Sequence, residues 1–154
     1  MGLKGRYFSS RDMRFAGSIN AELMGDIVED LVDIFKVSPF ETTTNLYGEA
    51  DVNIGKIYLP AIRISVLVDR PEMTADADDF GPDRNQSHVF KFREKMCKQL
   101  NFYPSLGDIV SWNDRYYELD NVIQEQLLGG QTEKSWSIIC TGHYTRLSKL
   151  NIKQ

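Results

Sequence analysis

The stretch Pro104–Val122, PSLGDIVSWNDRYYELDNV, leaves the backbone few choices. Asp108-Ile109-Val110-Ser111-Trp112 and Tyr116-Tyr117-Glu118-Leu119 are rich in β-branched and aromatic residues, and Asn113-Asp114-Arg115 separates them. The bulky residues pack well on a pleated face, and Asn and Asp tolerate the dihedrals of a tight turn. The expectation is a hairpin in which Val110 and Trp112 share a face with Tyr117 and Leu119. Leu119 and Val122 fall out of step by one residue, which predicts a bulge near Asp120-Asn121. No nucleophile, base or cluster of metal ligands sits in this segment, so its role is architectural.

A chain of 154 residues suits one domain with an arm, because domains commonly run roughly 100–150 residues. Hydrophobic content of 42% and charged content of 26% are enough to build a core and unlike those of a disordered, solvating segment. The net charge of -4 argues against general coating of nucleic acid, which needs a basic footprint. Cys97 and Cys140 are too few for a disulfide scaffold. No apolar run approaches the roughly 20 residues of a membrane span. The expectation is a soluble protein, with no membrane partner, made in a reducing cytoplasm.

Residues 1–17 read as an extended arm, with a merely frayed terminus as the alternative. Lys4, Arg6, Arg11 and Arg14 are interleaved there with Tyr7, Phe8 and Phe15, a mixture in which aromatics would anchor on a partner and cations would steer. Ser18 is placed to cap a helix over residues 19–37 that Pro39 stops. Its apolar residues form two stripes, Ile19-Leu23-Ile27-Leu31-Ile34 and Met24-Val28-Val32-Phe35, which predicts a wide buried face. Glu22, Asp26, Glu29, Asp30 and Asp33 make up the opposite face. Such an acidic face is either simply solvated or meets a basic surface, such as the arm of a neighbouring copy.

A strand is expected over residues 57–68, with Ile62, Ile64, Val66 and Val68 pointing one way and Pro60 at its start. Residues 69–85 lose periodicity and gather Asp76, Asp78, Asp79 and Asp83, so they read as a long acidic loop. Calcium is not expected there, because Phe80 and Ser87 occupy positions where an EF-hand needs ligands. Beyond it come a strand at 87–92, a short helix at 93–100, the central hairpin and a last strand at 136–141 with Trp136, Ile138 and Cys140 on one side. The predicted fold is mainly β (α+β), a small partly open β-barrel or sandwich. One long amphipathic N-terminal helix and a short second helix accompany a single β-rich domain over 18–150, followed by a polar tail at 151–154.

Catalytic chemistry finds little support. Cys140 and His143 have ligand-like spacing, but a zinc site needs about four ligands, and His88 and Cys97 lie nine residues apart on different predicted elements. A core cysteine and a surface histidine are the commoner reading of such residues. No nucleophile elbow, P-loop or zincin sequence occurs. No enzyme, catalytic residue, metal or cofactor is expected; the competing expectation from a different class is a metal-dependent hydrolase using the acidic loop.

From Val89 to Ile152 the chain resembles the neck, or head-completion, proteins of contractile-tailed bacteriophages. The features are Leu46-Tyr47-Gly48-Glu49, Phe92-Arg93-Glu94, Pro104-Ser105-Leu106-Gly107-Asp108-Ile109-Val110, Tyr116-Tyr117-Glu118-Leu119-Asp120-Asn121-Val122 and Thr145-Arg146-Leu147-Ser148-Lys149-Leu150. Their order and spacing carry the resemblance; each alone is weak. It implies a structural head-closure protein of the virion neck, assembled in the host cytoplasm as a homo-oligomeric ring, typically a hexamer. The ring would complete the DNA-filled head and connect it to the tail. Its partners would be a portal-side adaptor and tail terminator or tail tube proteins. Packaged DNA would pass through the lumen without sequence-specific binding. A tail-terminator ring is the near alternative. On this view Asp76, Asp78, Asp79 and Asp83 face the channel or a neighbour, and the arm from Lys4 to Phe15 docks on an adjacent protein.

Overall fold

Asn113 and Asp114 both take positive φ, 49° and 59°, and Trp112 pairs directly with Arg115. A two-residue turn of this hand matches the twist of the flanking strands, so the central hairpin forms where its sequence places it. The structure, a computed structural model, describes residues 10–28, 30–42, 50, 55–78, 81–126 and 135–146, without the side chains of 70–78, 81–85 and Gln126.

Among these residues the chain forms a helix α1 (Ser10–Glu22) that continues through a π-helical segment (Leu23–Val28). It then forms strands β1 (Leu31–Phe35), β2 (Ile62–Asp78) and β3 (Gly81–Arg93), a short helix α2 (Glu94–Gln99), and strands β4 (Ile109–Trp112), β5 (Arg115–Gln126) and β6 (Ser135–Thr145). The six strands close into an antiparallel barrel in the order β1-β2-β3-β6-β5-β4. The expected mainly β fold is therefore present, closed rather than partly open. Closure leaves the barrel without a free edge.

Alternation puts the core inside. Val32 and Ile34 of β1, Ile64 and Val66 of β2, Phe90 and Phe92 of β3, Val110 of β4, Tyr117 and Leu119 of β5, and Ile138 and Cys140 of β6 are all buried in one cluster. Each such apolar side chain stabilises the fold by roughly 1.5–3 kcal/mol, against about 0–1 kcal/mol for a surface ion pair such as Lys91–Asp69. The core therefore outweighs the surface charges. The predicted bulge is a register shift between Leu119 and Asn121 in the β5–β6 pairing. Helix α2 adds Cys97 to the core.

Gly142 lies opposite Leu119 and His88. A Cβ there would sit 3.1 Å from the Glu118 carbonyl oxygen and 3.3 Å from Tyr117 Cβ, closer than either neighbour can give without moving.

Three expectations are corrected. The helix expected over 19–37 starts at Ser10 and ends at Val28, and Leu31–Phe35 is a strand. Leu-Val-Asp-Ile-Phe satisfies both periods; pairing with β2 and β4 closes the barrel and selects the extended one. Residues 10–17 of the expected arm are helical, and Ser18 lies inside the helix, its hydroxyl donating to the Phe15 carbonyl at 2.7 Å. The acidic loop is largely a β-hairpin, since β2 reaches Asp78 and β3 begins at Gly81. Residues 1–9 of the arm, the Leu46–Glu49 segment and the segments 127–134 and 147–154 lie outside the described residues.

Candidate functional site

The hairpin of β2 and β3 outgrows the barrel. Among the described residues β3 pairs with β6 only from Ser87 to Arg93, so Met73–Asp78 and Gly81–Gln86 pair with each other alone. At about 3.3 Å per residue, this two-stranded ribbon reaches about 20 Å past the barrel wall. Asp76 pairs with Asp83, and Asp78 with Gly81, at its far end; Asp79 lies outside the described residues. The sequence thus brings three of the four expected acidic positions together at one tip.

At the root of the ribbon the register shifts between Asp69 and Glu72, with Pro71 in the shift and His88 between the two paired positions on β3. A bulge is where a proline can be accommodated in a sheet. His88 is 2% exposed because it follows the inward alternation of Phe90 and Phe92; of the two histidines, His143 is the one near the surface. Its ring packs edge-on against Tyr117 and Trp112, with centroids 4.7 and 5.1 Å away. Among the described residues neither ring nitrogen has a hydrogen-bond partner of good geometry. Burial pushes the imidazole below its ordinary range; the main chain of Asp69 opposes that shift and the charge of Arg115 adds to it. On the outer surface Lys91 Nζ meets Asp69 Oδ2 at 3.0 Å.

The other end of the barrel is tied by Asp108, a residue that sequence reading left without a role. Its side chain is 1% exposed and accepts hydrogen bonds from the Val37 and Ser105 amides at 3.0 and 2.8 Å, with Lys36 Nζ 3.6 Å away. Burial raises its pKa, and these donors work in the opposite direction. Asp108 thereby fixes the end of β1 to the loop entering β4. Next to it, Gly107 adopts φ of +83°, and a Cβ would come within 3.2 Å of Lys56 Nζ. The only sequence signal for this clasp is the Gly-Asp pair itself.

The remaining expected site residues separate. Lys4, Arg6, Tyr7, Phe8 and Glu29 lie outside the described residues. Arg11, Arg14 and Phe15 are exposed on α1, and Glu22 and Asp26 are exposed further along the same helical run. Asp30 gives its carbonyl to the Val66 amide at 3.0 Å. Asp33 belongs to β1, where Arg63 donates to both its carboxylate oxygens at 2.8 and 2.9 Å and that hydrogen bonding lowers its pKa. The predicted acidic helix face is therefore divided between helix and strand.

Cys140 and His143 point to opposite sides of β6. Cys140 is in the core, whereas the His143 ring nitrogen Nδ1 lies 2.6 Å from Asp120 Oδ1 at the surface. Burial pushes the thiols up to about 11 for Cys97 and about 12 for Cys140, which disfavours the thiolate a nucleophile or metal ligand needs. Among the described residues, no group of three or more His, Cys, Asp and Glu could hold a metal ion. No helix among them is long and apolar enough to cross a membrane.

No protein-family model matches the chain, and no curated protein matches it in sequence. Among solved structures, its fold is similar to that of a chain in the "Virion of native gene transfer agent (GTA) particle". The TM-score is 0.50 at 9% sequence identity, covering 75% of this chain and 93% of that one. At that identity the likeness is one of fold.

Proposed function

We propose that this chain is a structural protein of a phage-like virion, and more narrowly a neck component whose copies form a ring between the DNA-filled head and the tail. The observation that carries this reading is a closed barrel with a projecting acidic ribbon, in a chain whose fold is similar to that of a chain from a gene transfer agent virion. The ordered motifs from Val89 to Leu150 point the same way.

The physics suits the task. A rigid barrel held by a buried core can repeat one heterologous contact until a ring closes, with six copies as the expected number. A ribbon about 20 Å long can reach from the barrel wall toward the lumen. Carboxylates at its tip would repel DNA phosphate over a Debye length of about 8–10 Å, so DNA would slide past without sticking. The portal-side adaptor and the tail terminator or tail tube proteins are the neighbours on either side.

The test is to label the chain in purified particles and locate the label by electron microscopy. Label in one band at the head–tail junction is expected. Particles that contain none of this chain, or label spread over the capsid or along the tail, would sink the neck assignment.

A further inference from the structure

Helix α1 shows an apolar face that its own barrel does not cover. Phe15, Ile19, Leu23 and Ile27 follow one another at intervals of four residues and are 67%, 51%, 43% and 70% exposed. The covered face is a different one, where Met24 is buried and, with Asn20, lines a groove of about 240 Å³ against Leu67, Lys91 and Trp136 of the barrel. Solitary exposed apolar residues are ordinary on a soluble protein; a continuous stripe of four is a contact surface or an aggregation hazard.

The charges beside the stripe choose the occupant. The row immediately preceding it, again at intervals of four, reads Arg14, Ser18, Glu22, Asp26, cationic at one end and anionic at the other. Arg11, a turn earlier, strengthens the cationic end, and Arg11, Arg14, Glu22 and Asp26 are all exposed. When two such helices lie antiparallel, stripe against stripe, Phe15 of one faces Ile27 of the other and Ile19 faces Leu23. Rows on the same flank then meet, so each Arg14 comes beside the Asp26 of the other copy. A parallel arrangement would set the charged row against the opposite flank, Ala16, Asn20, Met24 and Val28, and would pair no charges. The surface is thus complementary to itself in one orientation.

We infer that the free protein dimerises through this helix face, two copies packing antiparallel along Phe15, Ile19, Leu23 and Ile27 with Arg14 against the partner copy's Asp26. The inference does not rest on the virion reading. A self-complementary contact closes at two copies, so it cannot itself generate the ring and would have to open, or join separate rings, on assembly. One helix face buries less than the roughly 800 Å² per partner of a standard interface, so the pair dissociates on dilution.

Sedimentation equilibrium of the whole chain, from about 1 to about 200 µM, is the test. The mass is expected to rise from 17.7 kDa toward twice that value across this range. Ile19→Asp, at a position already half exposed, should leave the circular dichroism spectrum unchanged and weaken association at least about 30-fold. Arg14→Glu should weaken it about 5-fold, and Arg14→Glu combined with Asp26→Arg should restore it. A mass fixed at 17.7 kDa over the whole range would overturn the inference. So would association indifferent to Ile19→Asp, or a charge swap that fails to restore it. Labelling of particles reads the virion assignment separately.

Discussion

At the scale of single residues, the sites that most affect this fold are polar groups in apolar surroundings. His88 has no hydrogen-bond partner of good geometry for either nitrogen among the described residues and is held neutral by burial. Its folded pKa lies below the ordinary imidazole value of about 6.5. The unfolded chain therefore takes up protons first as the pH falls through that value, and stability falls with it until the folded imidazole also titrates. Urea titrations between about pH 7.5 and 5 should show this loss, and His88→Leu should remove most of the His88 share while costing little at pH 7.5. A pH profile identical in the two proteins would refute it. Asp108 is the contrasting case, because its carboxylate has donors on three sides. Asp108→Ala leaves the Val37 and Ser105 amides and Lys36 without this acceptor, and should destabilise the protein by about 2–4 kcal/mol in the same measurement.

At the scale of elements, the β4–β5 hairpin and the β2–β3 ribbon differ in where their stability comes from. Val110 and Tyr117 pair directly and are both buried, so the β4–β5 hairpin is part of the core. The ribbon pairs only with itself beyond Ser87. Replacing residues 72–86 by a two-residue Asn-Gly turn should accordingly leave the barrel folded, with the thermal midpoint changed by no more than about 5 °C. A larger fall would mean that the ribbon supports the barrel. The ribbon also explains why its sequence reads as a loop: a two-stranded extension that leaves the sheet has no core face to impose alternation. By the same logic β1 escapes notice, because five residues are too few to separate a period of two from one of 3.6.

At the scale of the whole molecule, the barrel and its appendages divide the work. The closed sheet provides rigidity, the ribbon provides reach, and the stripe on α1 provides adhesion. On the proposed reading, particles built with the truncated ribbon should still contain the chain but lose packaged DNA faster in a nuclease-protection assay. Equal retention would argue that the ribbon contacts a neighbour instead of the lumen.

Local pattern was enough to read the central hairpin, its bulge, the inward rows of β2, β3 and β6 and the mainly β class, because tight turns and half-buried strands leave short-range marks in residue type and alternation. That Leu31–Phe35 is extended, that Met73–Asp78 and Gly81–Gln86 form a ribbon and that His88 points inward are settled by long-range pairing. Those outcomes depend on which strand closes the barrel and on where β3 loses its second neighbour. Closure joins β1 to β4 across more than seventy residues of chain, and no local preference encodes an interaction at that separation.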